Sequence, residues 1–182
     1  MADRRRLNII DEAGNIIGED TRENIHKHGL LHKEIHVWFY TPNQEIIFQH
    51  RAKDKDTYPD LLDATVGGHV EIGDSYESTA LKEIEEETGV KASLDNLTFI
   101  QVTKTKSYDQ VSKASNHALR AVYAFRYDGK LEDLRVEKGK AIGFEAWSLE
   151  KLFNISEDDK KRFISTIFKK ENLAIFKKIQ NL

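Results

Sequence analysis

The 182-residue chain predicts an α/β domain in which a mixed β-sheet is packed between helices. Three observations carry that expectation. Segments rich in β-branched and aromatic residues recur along the chain, from EIHVWFY to GFEAWS. In their midst, Tyr76–Thr88 places apolar residues at helical spacing between a capping signal and a glycine. After Ser156 the signals are helical again, with a capping serine, early acids and late lysines.

Taken in order, the N-terminal LNIIDEAGNIIGEDTRENIHKHGLLH reads as a hairpin around Ala13-Gly14-Asn15 and then a polar connection. Glu34–Tyr40 and Glu45–Arg51 are strands flanking the turn Thr41-Pro42-Asn43-Gln44. Ala64–Val66 is a further short strand. In the central helix Asp74 or Ser75 can cap, and Asp74 with Glu77 has capping-box spacing. Ala80, Leu81, Ile84 and Thr88 supply its periodicity, and Gly89 suits the position just past its end. Leu97–Ser107 and His117–Asp128 read as long strands, with Gly129 ending the second. Gly143–Ser148 is the last strand, and Ser148 caps a short helix through Phe153. Phe39, Phe48, Tyr123, Phe125 and Trp147 are assigned to the core. The lysines of FISTIFKK and LAIFKKIQNL fall on an apolar periodicity that suits helix packed on the domain. The chain thus divides into a hairpin extension (1–30), a main domain (31–155) and a C-terminal helical segment of the same domain (156–182).

Hydrophobic residues are 39%, charged residues 32%, and the net charge is -3. These values suit a soluble globular protein and give no general attraction to nucleic acid or to an acidic membrane. The absence of cysteine excludes disulfides, a thiol nucleophile and Cys-ligated zinc. No apolar run approaches the roughly 20 residues that span a bilayer. MADRRRLNII lacks the apolar stretch of a signal peptide, so a cytoplasmic location is the default expectation.

The chemistry concentrates in GGHVEIGDSYESTALKEIEEETGV, Gly67 to Val90. A run this acidic is ordinarily a solvated helix face. Its spacing argues for more. Glu83, Glu86 and Glu87 stand at i, i+3 and i+4, so they share a helical face and repel one another there. A divalent cation relieves that repulsion, and Mg²⁺ or Mn²⁺ prefers hard carboxylate oxygens. Gly67-Gly68 lets the backbone approach a ligand and can aim a carbonyl at a metal.

From Gly68 the order is glycine, five residues, Asp74, seven residues, Lys82, Glu83, Ile84, one residue, Glu86-Glu87, one residue, Gly89, Val90. This resembles the Nudix box of the Nudix hydrolases. The resemblance implies an α/β/α sandwich with the box as strand–loop–helix–loop. It implies metal-dependent hydrolysis of a diphosphate bond in a nucleoside diphosphate derivative or related small diphosphate, with Mg²⁺ or else Mn²⁺. By position, Glu86 and Glu87 become metal ligands, Glu83 a ligand or the base that activates water, and the Gly68 carbonyl an inner-shell ligand. Lys82 replaces an arginine that orients the catalytic glutamates, keeping the charge but not the planar fork. Asp74 replaces a glutamate with a side chain one methylene shorter. Asp74 and His69 are placed toward the substrate.

A second likeness, over Leu31–Gly89, is to the Nudix branch that contains isopentenyl diphosphate isomerase. Arg51 and Lys55 match basic residues that grip a diphosphate there. His32 and His69 match two histidines of the isomerase's metal site. The isomerase's cysteine, however, is replaced by Gly67, and Asn116–Leu119 lacks its later glutamates, so hydrolysis is favoured over isomerisation. A diphosphate-binding module without turnover is the other alternative. Glu137 or Glu145 is a candidate further ligand or base. The implied partners are a small-molecule diphosphate and, as in many Nudix proteins, a second copy of the chain, with neither nucleic acid nor membrane.

Overall fold

The computed structural model describes residues 5–55, 57–110 and 113–182. Its elements are β1 (Arg6–Ile10), β2 (Ile16–Thr21), α1 (Arg22–His28), β3 (His32–Tyr40), β4 (Glu45–Arg51), β5 (Leu62–Asp63), β6 (Val66–His69), α2 (Tyr76–Thr88), β7 (Leu97–Asp109), β8 (Ala114–Arg126), β9 (Ala141–Ser148), α3 (Leu149–Phe153), α4 (Glu157–Lys160) and α5 (Lys170–Ile179). Seven strands make one mixed sheet in the order β5-β4-β3-β8-β7, with β6 beside β3 and β9 beside β4. Strands β1 and β2 form a separate hairpin, tied to the domain where the Ile10 N–H donates to the Leu31 carbonyl at 2.9 Å.

Strand β3 organises the sheet. One edge runs parallel to β8. The other is shared: Glu34–Val37 pair with β6, and Phe39–Tyr40 pair with β4. The sheet therefore forks between β4 and β6. Thr65 stitches the fork, its hydroxyl donating to the Ile47 carbonyl and accepting from the Phe39 N–H at 2.9 Å. The two-residue alternation of β3 sorts its side chains. Ile35, Val37 and Phe39 join Ala80 and Ile84 of α2 in one core. Trp38 faces the other way, into a core with Phe48, Trp147, Phe163 and Phe176 that α3 and α5 complete. Earlier on that second face stand the polar His32, Glu34 and His36.

Helix α2 runs over the residues its spacing predicts, and Gly89 ends it at φ 72°. Its cap differs in detail. Ser75 accepts from the Ser78 N–H at 3.1 Å and Ser78 accepts from the Ser75 N–H at 2.9 Å, so the capping box is Ser75–Ser78, not Asp74–Glu77. The five aromatics assigned to the core are buried. Other elements depart from expectation. The polar connection after β2 contains α1, capped by Thr21 and ended by Gly29 at φ 64°. Ile25 is its one buried residue, so it has no apolar stripe to read. Of the strand expected at Ala64–Val66 only Val66 is paired, as the start of β6, and Ala64-Thr65 connects it to β5. Strand β8 starts at Ala114 and ends at Arg126, three residues before Gly129. The tail is not one helix. The Leu62 N–H donates to the Arg162 carbonyl at 2.8 Å and Ile164 N–H to the Leu62 carbonyl at 3.0 Å, holding Phe163 extended between α4 and a 3₁₀ turn at Ser165–Phe168. Among the described residues, no helix is long and apolar enough to cross a membrane.

Thr65→Val strips the fork of its stitch and leaves the buried Phe39 N–H without its acceptor. It should destabilise the fold by about 1–3 kcal/mol, while Thr65→Ser stays near wild type; urea denaturation measures both.

Candidate active site

The fork is where α2 reaches the second face of the sheet. Glu83 and Glu87 project into it and are only 8% and 4% exposed, rare for carboxylates without a partner. The Glu87 carboxylate is clamped across the split. Gln49 Nε2 of β4 donates to it at 3.0 Å and the Gly67 N–H of β6 at 3.4 Å. Glu83 lies on Gly68. A Cβ at Gly68 would fall 2.6 Å from the Glu83 side chain, so glycine is what lets helix and strand come this close.

A lysine completes the cluster. Lys140 stands between β8 and β9, its carbonyl accepting from the Ala52 N–H and its own N–H donating to the Glu137 carbonyl, each at 3.0 Å. Its Nζ lies 2.7 Å from Glu137, 3.3 Å from Glu87 and 3.7 Å from Glu83. Burial pushes the Glu87 carboxyl up to about 7, outweighing the pull of Lys140 and Gln49. Burial raises Glu83 as well, against the pull of Lys140. Glu83 Oε2 is buried and makes no hydrogen bond among the described residues. One ammonium thus faces three carboxyl groups, two of them raised by burial. That donor set fits a divalent cation: hard oxygens, a backbone cradle at Gly68 that a Cβ would fill, and a positive group already standing among them.

The residues singled out in the box separate here. Glu83, Glu87 and Gly68 come together. Glu86, about 100° around the helix from Glu87, is exposed. Lys82 is also exposed and pairs with Glu71 at 3.5 Å, away from the buried carboxylates. Asp74 is exposed before the helix and lies outside the residues lining the cavity. Of the two later glutamates, Glu137 joins through Lys140. Glu145 pairs with Arg162 at 2.7 Å instead.

The cluster opens into a cavity of about 240 Å³ with Arg5, Arg22, Arg51, Lys55 and Lys140 on its wall. Arg51 has a structural task there. Its guanidinium donates to the Thr57 carbonyl at 2.8 Å, the Tyr58 carbonyl at 3.2 Å and Asp63 at 3.2 Å. These bonds shape the loop after β4, in which Tyr58 and Asp60 adopt left-handed φ of 49° and 59°.

A second cluster lies further along the same face. His26 of α1, His32 of β3 and His69 of β6 bring three ring nitrogens within 4.8 Å of one another. The His26 Nδ1 donates to the Ser115 carbonyl and the His32 Nδ1 to the Leu30 carbonyl, each at 3.0 Å, which leaves both Nε2 lone pairs facing inward. His69 Nε2 is 2.9 Å from His26 Nε2 and carries the proton between them. Burial holds His69 well below the usual histidine range, so the ring is neutral. Glu34 lies 3.4 Å from both His32 and His69. Burial alone would raise its carboxyl, but Arg120, at 2.9 Å, and the histidines hold it well below the usual range. Converging imidazoles suit a transition-metal ion such as Zn²⁺. His32 and His69 stand out in the sequence; His26 was missed together with the helix that carries it.

Residues 30–167 match the family model for the NUDIX domain. The chain belongs to the Nudix hydrolases, enzymes that act on pyrophosphate bonds. It is 26% identical over 149 residues to an uncharacterised Nudix hydrolase of Clostridium acetobutylicum, a match covering 80% of this chain and 71% of that one. It spans about half the length, 46%, of other curated relatives. Among solved structures it is similar to a protein of Deinococcus radiodurans, with a TM-score of 0.66 and 18% identity over 95% of this chain and 98% of the other. It is also similar to the NUDIX domain of Shewanella oneidensis NrtR complexed with ADP ribose, with a TM-score of 0.57 and 13% identity over 83% and 86%. At such identities the likeness is one of fold, and it is the α/β fold with a mixed sheet that the sequence predicts. None of these relatives is named for the isomerase.

Glu87 has a testable consequence. Its carboxyl titrates at about 7 when folded, against a reference near 4.5. The folded state therefore holds the extra proton between those values. The stability this gives is fully present below 4.5 and is lost as pH rises through 7. In chelator, Glu87→Gln should gain on wild type between pH 5 and pH 8, read as urea midpoints; a difference that stays constant would contradict the assignment.

Proposed function

We propose that the chain hydrolyses a small diphosphate compound of the nucleoside diphosphate class, using Mg²⁺ or Mn²⁺ held at the fork. The observation that carries this reading is the pair of buried carboxylates, Glu83 and Glu87, opening from the Gly68 cradle into a cationic cavity. Glu83, Glu87 and the Gly68 carbonyl would hold the cation, with Glu137 and the exposed Glu86 as further carboxylates within the same box and loop. When bound, a divalent cation lowers the pKa of water and neutralises phosphate charge.

The chain's own groups do the rest. Glu83, raised by burial and with one oxygen that makes no hydrogen bond among the described residues, would accept the proton of the attacking water. Gln49 and the Gly67 N–H fix the Glu87 carboxylate, so it does not reorganise during the reaction. Arg22, Lys55 and Lys140 give the wall the charge that receives phosphate oxygens. Arg51 acts by holding the loop that carries Lys55. Lys82, paired with Glu71, steadies the box helix from outside. Asp74 stands exposed outside both cavities and takes no part, whereas His69 bears on the substrate from the adjoining cleft of about 730 Å³ that it lines. That cleft takes the second moiety of the substrate. The ADP ribose bound by the Shewanella neighbour supports the nucleotide class.

The decisive assay is a product-resolved screen of nucleoside diphosphate sugars, dinucleotides, nucleoside triphosphates and prenyl diphosphates with Mg²⁺ or Mn²⁺. Turnover should need the cation and fall by about 10³-fold in Glu83→Gln and in Glu87→Gln. Hydrolysis that persists in both variants would refute the site, and double-bond migration on isopentenyl diphosphate would favour the isomerase instead.

A further inference from the structure

We propose that Lys140 is a built-in placeholder for the divalent cation: its ammonium holds the carboxylate cluster in the metal-free chain and is displaced when the cation binds. The inference rests on the reading of Glu83 and Glu87 as cation-binding carboxylates.

The ammonium is compact, and its Nζ lies within 4 Å of carboxyl oxygens on three residues, Glu137 at 2.7 Å, Glu87 at 3.3 Å and Glu83 at 3.7 Å. It therefore sits among the oxygens that suit a cation. It is an incomplete match, because one ammonium stands against three carboxyl groups, and Glu83 Oε2 still makes no hydrogen bond among the described residues. That imbalance favours a dication over the ammonium. Both cannot stay, since like charges a few ångströms apart in a half-buried site repel strongly. The Lys140 backbone is pinned to Ala52 and Glu137, so the four-carbon stem swings while the loop stays put. The same cavity wall carries Arg5, Arg22, Arg51 and Lys55, so the tethered head moves into the space assigned to phosphate. Cation loading then makes the phosphate-facing wall more positive. One residue thus lowers cation affinity in the empty site and couples cation loading to anion attraction, with no movement of the fold.

Competition predicts the direction of change. The apparent affinity for the cation is reduced by the fraction of molecules in which the ammonium occupies the site. Lys140→Met keeps the stem and removes the competitor. Mg²⁺ binding to the chelator-treated full chain, followed by calorimetry, should tighten by about 10-fold in Lys140→Met, and likewise in Lys140→Gln. Mg²⁺ is the right probe because it favours oxygen and passes over the histidine cluster. Lys138→Met, exposed and two residues away, should change affinity by less than about twofold, since a solvated charge at that range is screened. In chelator, Lys140→Met should melt below wild type, and saturating Mg²⁺ should remove the difference. Unchanged or weaker Mg²⁺ binding in both Lys140 variants, or an equal gain from Lys138→Met, would overturn the placeholder while leaving the cation site intact. Mg²⁺ binding that is unaffected by Glu83→Gln and Glu87→Gln together would overturn the site itself, and the placeholder with it.

Discussion

Two carboxylates buried in the split of a β-sheet are costly unless every oxygen is met, and much of this fold is arranged around meeting them. The split exists because β3 changes partner from β6 to β4 within one strand. Gln49 and Gly67 reach Glu87 from the two sides of the split, and Gly68 gives way to Glu83. Lys140 comes from a loop pinned to Ala52. One ammonium is nevertheless set against three carboxyl groups, an imbalance that the proposed cation would relieve. The Arg120–Glu34 pair on the same face shows the contrast: burial would raise that carboxyl, but the guanidinium and the neighbouring histidines outweigh it and hold it low.

Strand β3 also divides labour along its length. Positions 32, 34 and 36 are His, Glu and His, whereas position 38 is Trp, all on one face. The C-terminal helices cover the Trp38 end and build a core of aromatic rings. The N-terminal α1 lies over the polar end and brings His26 and Arg22 to the cleft. The segments outside the box thus do different physical work, one stabilising the sheet and the other supplying side chains to the cavity.

What was legible in the sequence follows from how local its cause is. Helix α2 is set by Ser75, by the spacing of Ala80 and Ile84, and by Gly89, all within one stretch, and its ends were readable. That Glu83 and Glu87 turn inward while Glu86 and Lys82 do not depends on the rotation of the helix against Gly68, a tertiary fact that spacing alone does not contain. Helix α1 escaped because seven residues with one buried side chain carry no periodic signal. The tail reads as continuous helix because its propensities are helical, and the pairing with Leu62 that interrupts it is a contact with a distant strand. Lys140 was invisible for the same reason: it meets Glu87 across 53 residues of chain.

The central claim is that the cation belongs to the carboxylates of the fork. Crystals soaked in Mn²⁺ and measured at its absorption edge would locate the ion directly. The account predicts an anomalous peak among the oxygens of Glu83 and Glu87 beside the Gly68 carbonyl, with the Lys140 ammonium moved out toward Lys55. A peak confined to His26, His32 and His69, with Lys140 still seated between the glutamates, would contradict it.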